Sequence, residues 1–304
     1  MGMTAWKRAG VSLTAVAVIA GVAGCQDGDG GRKAADAPAK ATAEPQIQTH
    51  AAVTKVIRAA YEKTSAAKSA KVRMTITMPE AVDGGGTMEM TGVQGWNPGA
   101  MDITMKGSMM TAGDPDAPEQ MRMIMVDDVM YVDMGAEKTA ELDGKRWMKL
   151  DLEGGQTQKE LTGGLENSLN QDPSQQLALL LESPDLKHVG AEKVNGVQAQ
   201  HYKGTLSFEQ MLDSNKEKSA LLSKEEREKL VANVEKVGLK GYDTEVWVDA
   251  AGYPVRMVVG METGVGTMHM KADYTDYGPK AAVEAPPAKD TYDLAEALGG
   301  LGES

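Results

Sequence analysis

The sequence predicts an α+β fold: a curled antiparallel β-sheet of about ten strands with helices packed on its concave face. Three observations predict it. Apolar residues alternate with polar ones over most of the chain, as in half-buried strands. Hairpin dipeptides punctuate that alternation, and helical spacing of apolar residues replaces it at only a few places.

The N-terminus is of a different kind. Lys7 and Arg8 precede the uncharged, mostly apolar run of residues 9–21, the order of a signal peptide, and the run is too short for a stable membrane span. Val22-Ala23-Gly24-Cys25 follows and is similar to a lipobox, in which small residues precede a cysteine that takes a diacylglycerol. Cys25 is the single cysteine of the chain, so no disulfide can form and acylation accounts for it. Residues 1–24 are therefore expected to be a signal peptide and Cys25 a lipid anchor. The protein is expected on the extracytoplasmic face of a cell membrane.

Residues 25–48 carry the anchor and a stretch of Asp, Gly, Lys, Ala, Pro and Thr that cannot bury enough apolar surface to order itself. They read as a tether with a reach of about 25–30 Å. Loss of Lys7 and Arg8 takes the formal charge from −12 to −14. That surface argues against nucleic acid or anionic headgroups as partners held by charge, so membrane contact falls to the anchor.

Residues 49–288 form the expected domain and residues 289–304 a flexible tail. The domain starts with a helix, because Val53, Val56, Ile57, Ala60 and Tyr61 share one face and Thr49 can cap it. Period two begins at Val72, Met74, Ile76 and Met78. It recurs at Met88 and Met90, at Met101, Ile103 and Met105, and at Met121, Met123 and Met125. Turns are expected at residues 83–86, 97–99 and 114–115, and Asp127-Asp128 makes a hairpin into residues 129–132. A strand over 146–151 follows.

Asp172 then caps a helix with Pro173 in its first turn and Leu177, Leu180 and Leu181 on one face. Strands resume at 188–194 and 197–206 around Asn195-Gly196. Ser207 with Gln210, and Ser223 with Glu226, are spaced as capping boxes. Strands at 244–249, 254–261 and 266–274 close the domain.

These closing strands carry a resemblance. Residues 194–197 (Val-Asn-Gly-Val), 201–205 (His-Tyr-Lys-Gly-Thr), 245–249 (Glu-Val-Trp-Val-Asp), 253–256 (Tyr-Pro-Val-Arg) and 274–278 (Tyr-Thr-Asp-Tyr-Gly) are similar to the LppX/LprG lipoprotein family. The resemblance implies a half-barrel like that of LolA and LolB, and a site for acylated lipid between sheet and helices.

The chain has 21 methionines and one phenylalanine. Strands lined with unbranched, polarizable thioethers make an adaptable apolar wall. The candidate cavity lining is Met74, Ile76, Met78, Met88, Met90, Met101, Ile103, Met105, Met121, Met123 and Met125, each on the more apolar face of its strand. A filled core of methionine is the plainer alternative. A third reading gives Met88-x-Met90, Met121-x-Met123-x-Met125 and Met268-His269-Met270 to Cu(I), although His269 points away from its neighbours.

Catalysis has no sequence support. Nucleophile-elbow, zinc-protease and phosphate-loop motifs are lacking, and the four histidines stand singly. Acidic pairs fit a turn (Asp127-Asp128) and a helix start (Glu225-Glu226). No cofactor, no metal and no enzyme activity is expected. The sequence reading is a lipid or acyl-chain carrier; the rival is a non-catalytic envelope module whose acidic surface docks a partner protein.

Overall fold

The computed structural model describes residues 48–82, 84–96, 98–112, 117–151, 172–208, 210, 238, 240–278 and 283–294. Cys25, the tether up to residue 47 and the Ser223–Glu226 capping box lie outside the described residues.

Helix α1 (His50–Ala67) is capped as expected: the Thr49 hydroxyl accepts the Ala52 N–H at 3.3 Å. Val53, Ile57, Ala60 and Thr64 form its buried face. Lys68 ends it in the left-handed region (φ 63°), and β1 (Ser69–Met78) starts immediately after. A meander follows through β2 (Gly86–Gly95), β3 (Ala100–Lys106), a short helix α2 (Ser108–Thr111), β4 (Gln120–Val126), β5 (Val129–Asp133) and β6 (Trp147–Asp151). Asp127 and Asp128 both take positive φ (52° and 58°), the backbone of a tight primed turn.

Helix α3 (Pro173–Leu181) has Asp172 as its cap, with the carboxylate accepting the Ser174 N–H at 2.8 Å. Then come β7 (Lys187–Val194), β8 (Val197–Ser207), β9 (Gly241–Asp249), β10 (Pro254–Thr263), β11 (Gly266–Thr275) and the short β12 (Thr291–Asp293). Ser207 and Gln210 exchange the two hydrogen bonds of a capping box, 2.8 and 3.2 Å.

All these strands join one sheet in the order β12-β6-β5-β4-β3-β2-β1-β11-β10-β9-β8-β7. Only β12 departs from antiparallel pairing; it lies parallel to β6. The sheet is open, with β12 and β7 at its edges. Sequence reading therefore has the architecture right and the strand number low, twelve against about ten. It also errs at the C-terminus: part of the expected tail, residues 291–293, is sheet. Lys149 donates to Asp293 at 2.7 Å and fixes that strand.

Both main helices cover one face of the sheet. Val53, Ile57 and Ala60 of α1 and Leu177 and Leu180 of α3 share an apolar cluster with Val72, Met101, Met125, Tyr202, Val246 and Met257. Gly204 of β8 permits this approach, since a Cβ there would lie 2.5 Å from Ser183 Oγ and 2.9 Å from Leu180 Cδ1. At Gly92 of β2 a Cβ would run into the Asp102 carbonyl of the neighbouring strand. Glycine thus lets β2 and β3 approach closely at this point. A smaller cluster of Val194, Ala199, Trp247 and Val255 occupies the opposite face. All residues of both clusters lie between Val53 and Leu294.

Candidate functional site

Side-chain alternation carries the even-numbered residues of β1 and β2 to the helix-covered face. Register then stacks them across strands. Met74 stands opposite Met90, and Met90 opposite Met105; Ile76 stands opposite Met88 on one side and Met270 on the other. Helices α1 and α3 do not fill the space in front of this wall, and a partly open cavity of about 730 Å³ remains.

Eight of the expected lining residues border the cavity: Met74, Ile76, Met88, Met90, Met101, Ile103, Met105 and Met123. Three do not. Met125 is buried in the apolar cluster beneath it, Met121 packs half-buried against that cluster, and Met78 is half-buried at the end of β1. The cause is position along the strand rather than face, since all three share the inner face with their neighbours.

Sequence reasoning left out the second half of the wall. Val259 and Met261 of β10, Met268 and Met270 of β11, and Tyr242 of β9 complete it. Their signal was available, because Met268 and Met270 repeat the same period of two. Nine thioethers thus face one cavity among the described residues. His269, between two of them, is exposed on the other side of the sheet.

The cavity has a polar end. Gln94 of β2 (8 % exposed), Asp172 (9 %) and Tyr274 of β11 (5 %) are its buried polar residues, while the half-buried Gln176 and the exposed Gln175 of α3 border it nearer solvent. Burial raises the Tyr274 phenol well above its ordinary value, and the nearby Asp172 carboxylate raises it further. Asp172 is the one charged residue among the described lining residues. In contrast Met74, Ile76, Met88, Met90, Met105, Met261, Met268 and Met270 are half-buried, so the shallower wall is mostly apolar, with Tyr242 and Gln176 as its half-buried polar members.

Other chemistry-bearing residues have structural partners. His188 Nε2 lies 2.7 Å from Gln200 Oε1. His201 Nε2 lies 2.7 Å from a Glu245 oxygen, and its ring stacks on Trp247 at 4.1 Å. Among the described residues no group of three or more His, Cys, Asp or Glu is placed to hold a metal ion, and no helix is long and apolar enough to cross a membrane.

No family model matches the chain. Mycobacterium tuberculosis lipoprotein LppX, a solved structure, is similar at 14% identity, covering 78% of this chain and all of that one, with a TM-score of 0.45. A Streptomyces coelicolor protein provisionally named as a lipoprotein is 28% identical, with 99% of each chain covered. The 31.2 kDa protein of the rplA–rplJ intergenic region of Streptomyces griseus is 31% identical over 259 residues, covering 80% of this chain and 79% of that one. By that likeness, the chain belongs to the family of the Streptomyces griseus protein.

Proposed function

We propose that this chain is a lipoprotein, anchored through Cys25 on the extracytoplasmic face of a membrane, whose domain binds and carries or presents the apolar chains of a lipid or lipidated molecule. The cavity carries this reading. Its volume of about 730 Å³ lies within the usual range for small-molecule sites, and its wall is built from flexible thioethers that fit chains of varied shape. Each Å² of chain removed from water contributes about 25 cal/mol.

Anchorage rests on the lipobox and on the name of the Streptomyces coelicolor relative. The role is non-catalytic: His188 and His201 are engaged as sheet contacts, and the described lining holds no Ser, Thr, Cys, Lys or His. Copper is the weaker use of the same methionines, because the imidazole at Met268-His269-Met270 faces away from the cavity.

Native mass spectrometry with organic extraction tests the reading, on the chain from residue 26 onward purified from its own host. A lipid retained at about one per chain is the expected result. A bare protein mass that also takes up no added neutral lipid would refute carriage and favour the envelope docking module.

A further inference from the structure

The polar end of the cavity sits at its covered end, and this inference rests on the cavity reading above. Gln94, Asp172 and Tyr274 are buried there beside the apolar Val72, Met101, Ile103 and Met123, whereas the methionines of β1, β2, β10 and β11 that line the cavity are half-buried. A ligand with one polar end and one apolar chain matches that gradient when its polar end enters first.

The charge of that end is constrained as well. No Lys or Arg borders the cavity among the described lining residues, and the single charged side chain is an acid. Helix α3 begins at the same place, and the positive end of a helix attracts anions. Here that end is already occupied. One Asp172 carboxylate oxygen accepts the Ser174 N–H at 2.8 Å, and the Asp172 carbonyl accepts the Gln175 N–H at 2.9 Å. A second anion brought beside Asp172 loses its hydration and gains no counter-charge. An uncharged hydroxyl, ester or amide meets amide and phenol partners instead.

We infer that Asp172 sets the charge selectivity of the cavity, admitting lipids whose leading end is uncharged and refusing those that end in a free carboxylate or phosphate. Asp172 acts as a specificity residue here, and its capping role makes Asp172→Asn the suitable probe. The amide oxygen introduced by that substitution still accepts the Ser174 N–H, so the cap is kept, while the negative charge that repels a second anion and offsets the helix dipole is gone.

The test is displacement of the uncharged fluorophore N-phenyl-1-naphthylamine from the chain beginning at residue 26, by 1-lauroylglycerol and by laurate at pH 8. The two competitors share one acyl chain and differ in the charge of the end. Lauroylglycerol is expected to bind about tenfold tighter than laurate to the native sequence, and Asp172→Asn to shrink that ratio to about threefold or less by improving laurate. Equal affinities in the native chain would overturn the inference, and that measurement needs no variant. An unchanged ratio in a folded Asp172→Asn chain would overturn it too. Failure of fluorophore and both competitors to bind would instead remove the cavity reading, and the selectivity with it.

Discussion

Met74 of β1 faces Met90 of β2 directly across the strand pair, and both side chains border the cavity. Neither is fully buried, so a change at either alters the ligand wall more than the core. Met90→Asp is expected to abolish uptake of an uncharged lipid probe while circular dichroism and cooperative unfolding persist. Met125, only 3% exposed, is the counterpart: Met125→Asp is expected to cost about 3–5 kcal/mol, read by urea denaturation. Equal loss of stability in the two variants would mean that the thioethers at Met74 and Met90 are ordinary core.

Methionine walls are chemically vulnerable. Dilute hydrogen peroxide oxidises accessible thioethers to sulfoxides, turning apolar lining into polar lining. Peptide mapping is expected to find the half-buried Met88, Met90 and Met268 oxidised before the buried Met101 and Met257. Probe affinity should fall about tenfold as they react, and return after methionine sulfoxide reductase treatment.

Acid should weaken the domain through specific carboxyls. Burial pushes the Asp133 carboxyl up, but hydrogen bonds from Arg146 (2.7 Å to each oxygen) and from the Gly135 N–H pull it net below its ordinary value. Asp185 is likewise held low on balance: burial raises it, and bonds from Ser183 and Thr205 lower it further. Each binds fewer protons folded than unfolded, so its stabilisation is complete above the ordinary carboxylate pKa and disappears as pH falls through the lowered native value. Arg146 is mostly exposed, which limits the Asp133 contribution to about 1 kcal/mol. Asp133→Asn should therefore cost about that much at pH 7 and nothing at pH 2, by denaturant midpoints.

A buried hydroxyl offers a test of opposite sign. Tyr277 Oη is enclosed and has no hydrogen-bond partner among the described residues, while its ring stacks on Tyr253 at 4.6 Å. Removing the oxygen keeps the stack and removes an unmet polar group. Tyr277→Phe is expected to leave stability unchanged or to raise it by about 1 kcal/mol, measured by thermal unfolding. A loss of more than about 1 kcal/mol would mean that the hydroxyl has a bound partner such as water.

Much of this fold was legible because its signals are local. Period two at residues 72–78, 101–105 and 121–125 places strands, and Asn195-Gly196 and Asp127-Asp128 name their own turns. Caps at Thr49 and Asp172 are readable for the same reason. What local pattern cannot carry is depth. Met121, Met123 and Met125 look alike in sequence, yet only Met123 borders the cavity: Met125 is buried in the apolar cluster and Met121 packs half-buried against it. Nor does it carry distance: the polar end joins Gln94, Asp172 and Tyr274 from three parts of the chain. The parallel strand β12 was missed because three residues are too few to show a period.

The seam between β1 and β11 also governs assembly. Strands β1 to β6 are successive neighbours, and so are β7 to β11, so each half can zip up from short-range pairings. Val72 meets Tyr274 only by closing about 200 residues of chain, a slow, entropically costly step. Until it is made, the methionine faces of β1 and β2 wait without their partners on β10 and β11. Over that interval, a waiting half-wall is the surface most open to aggregation and to capture by a chaperone.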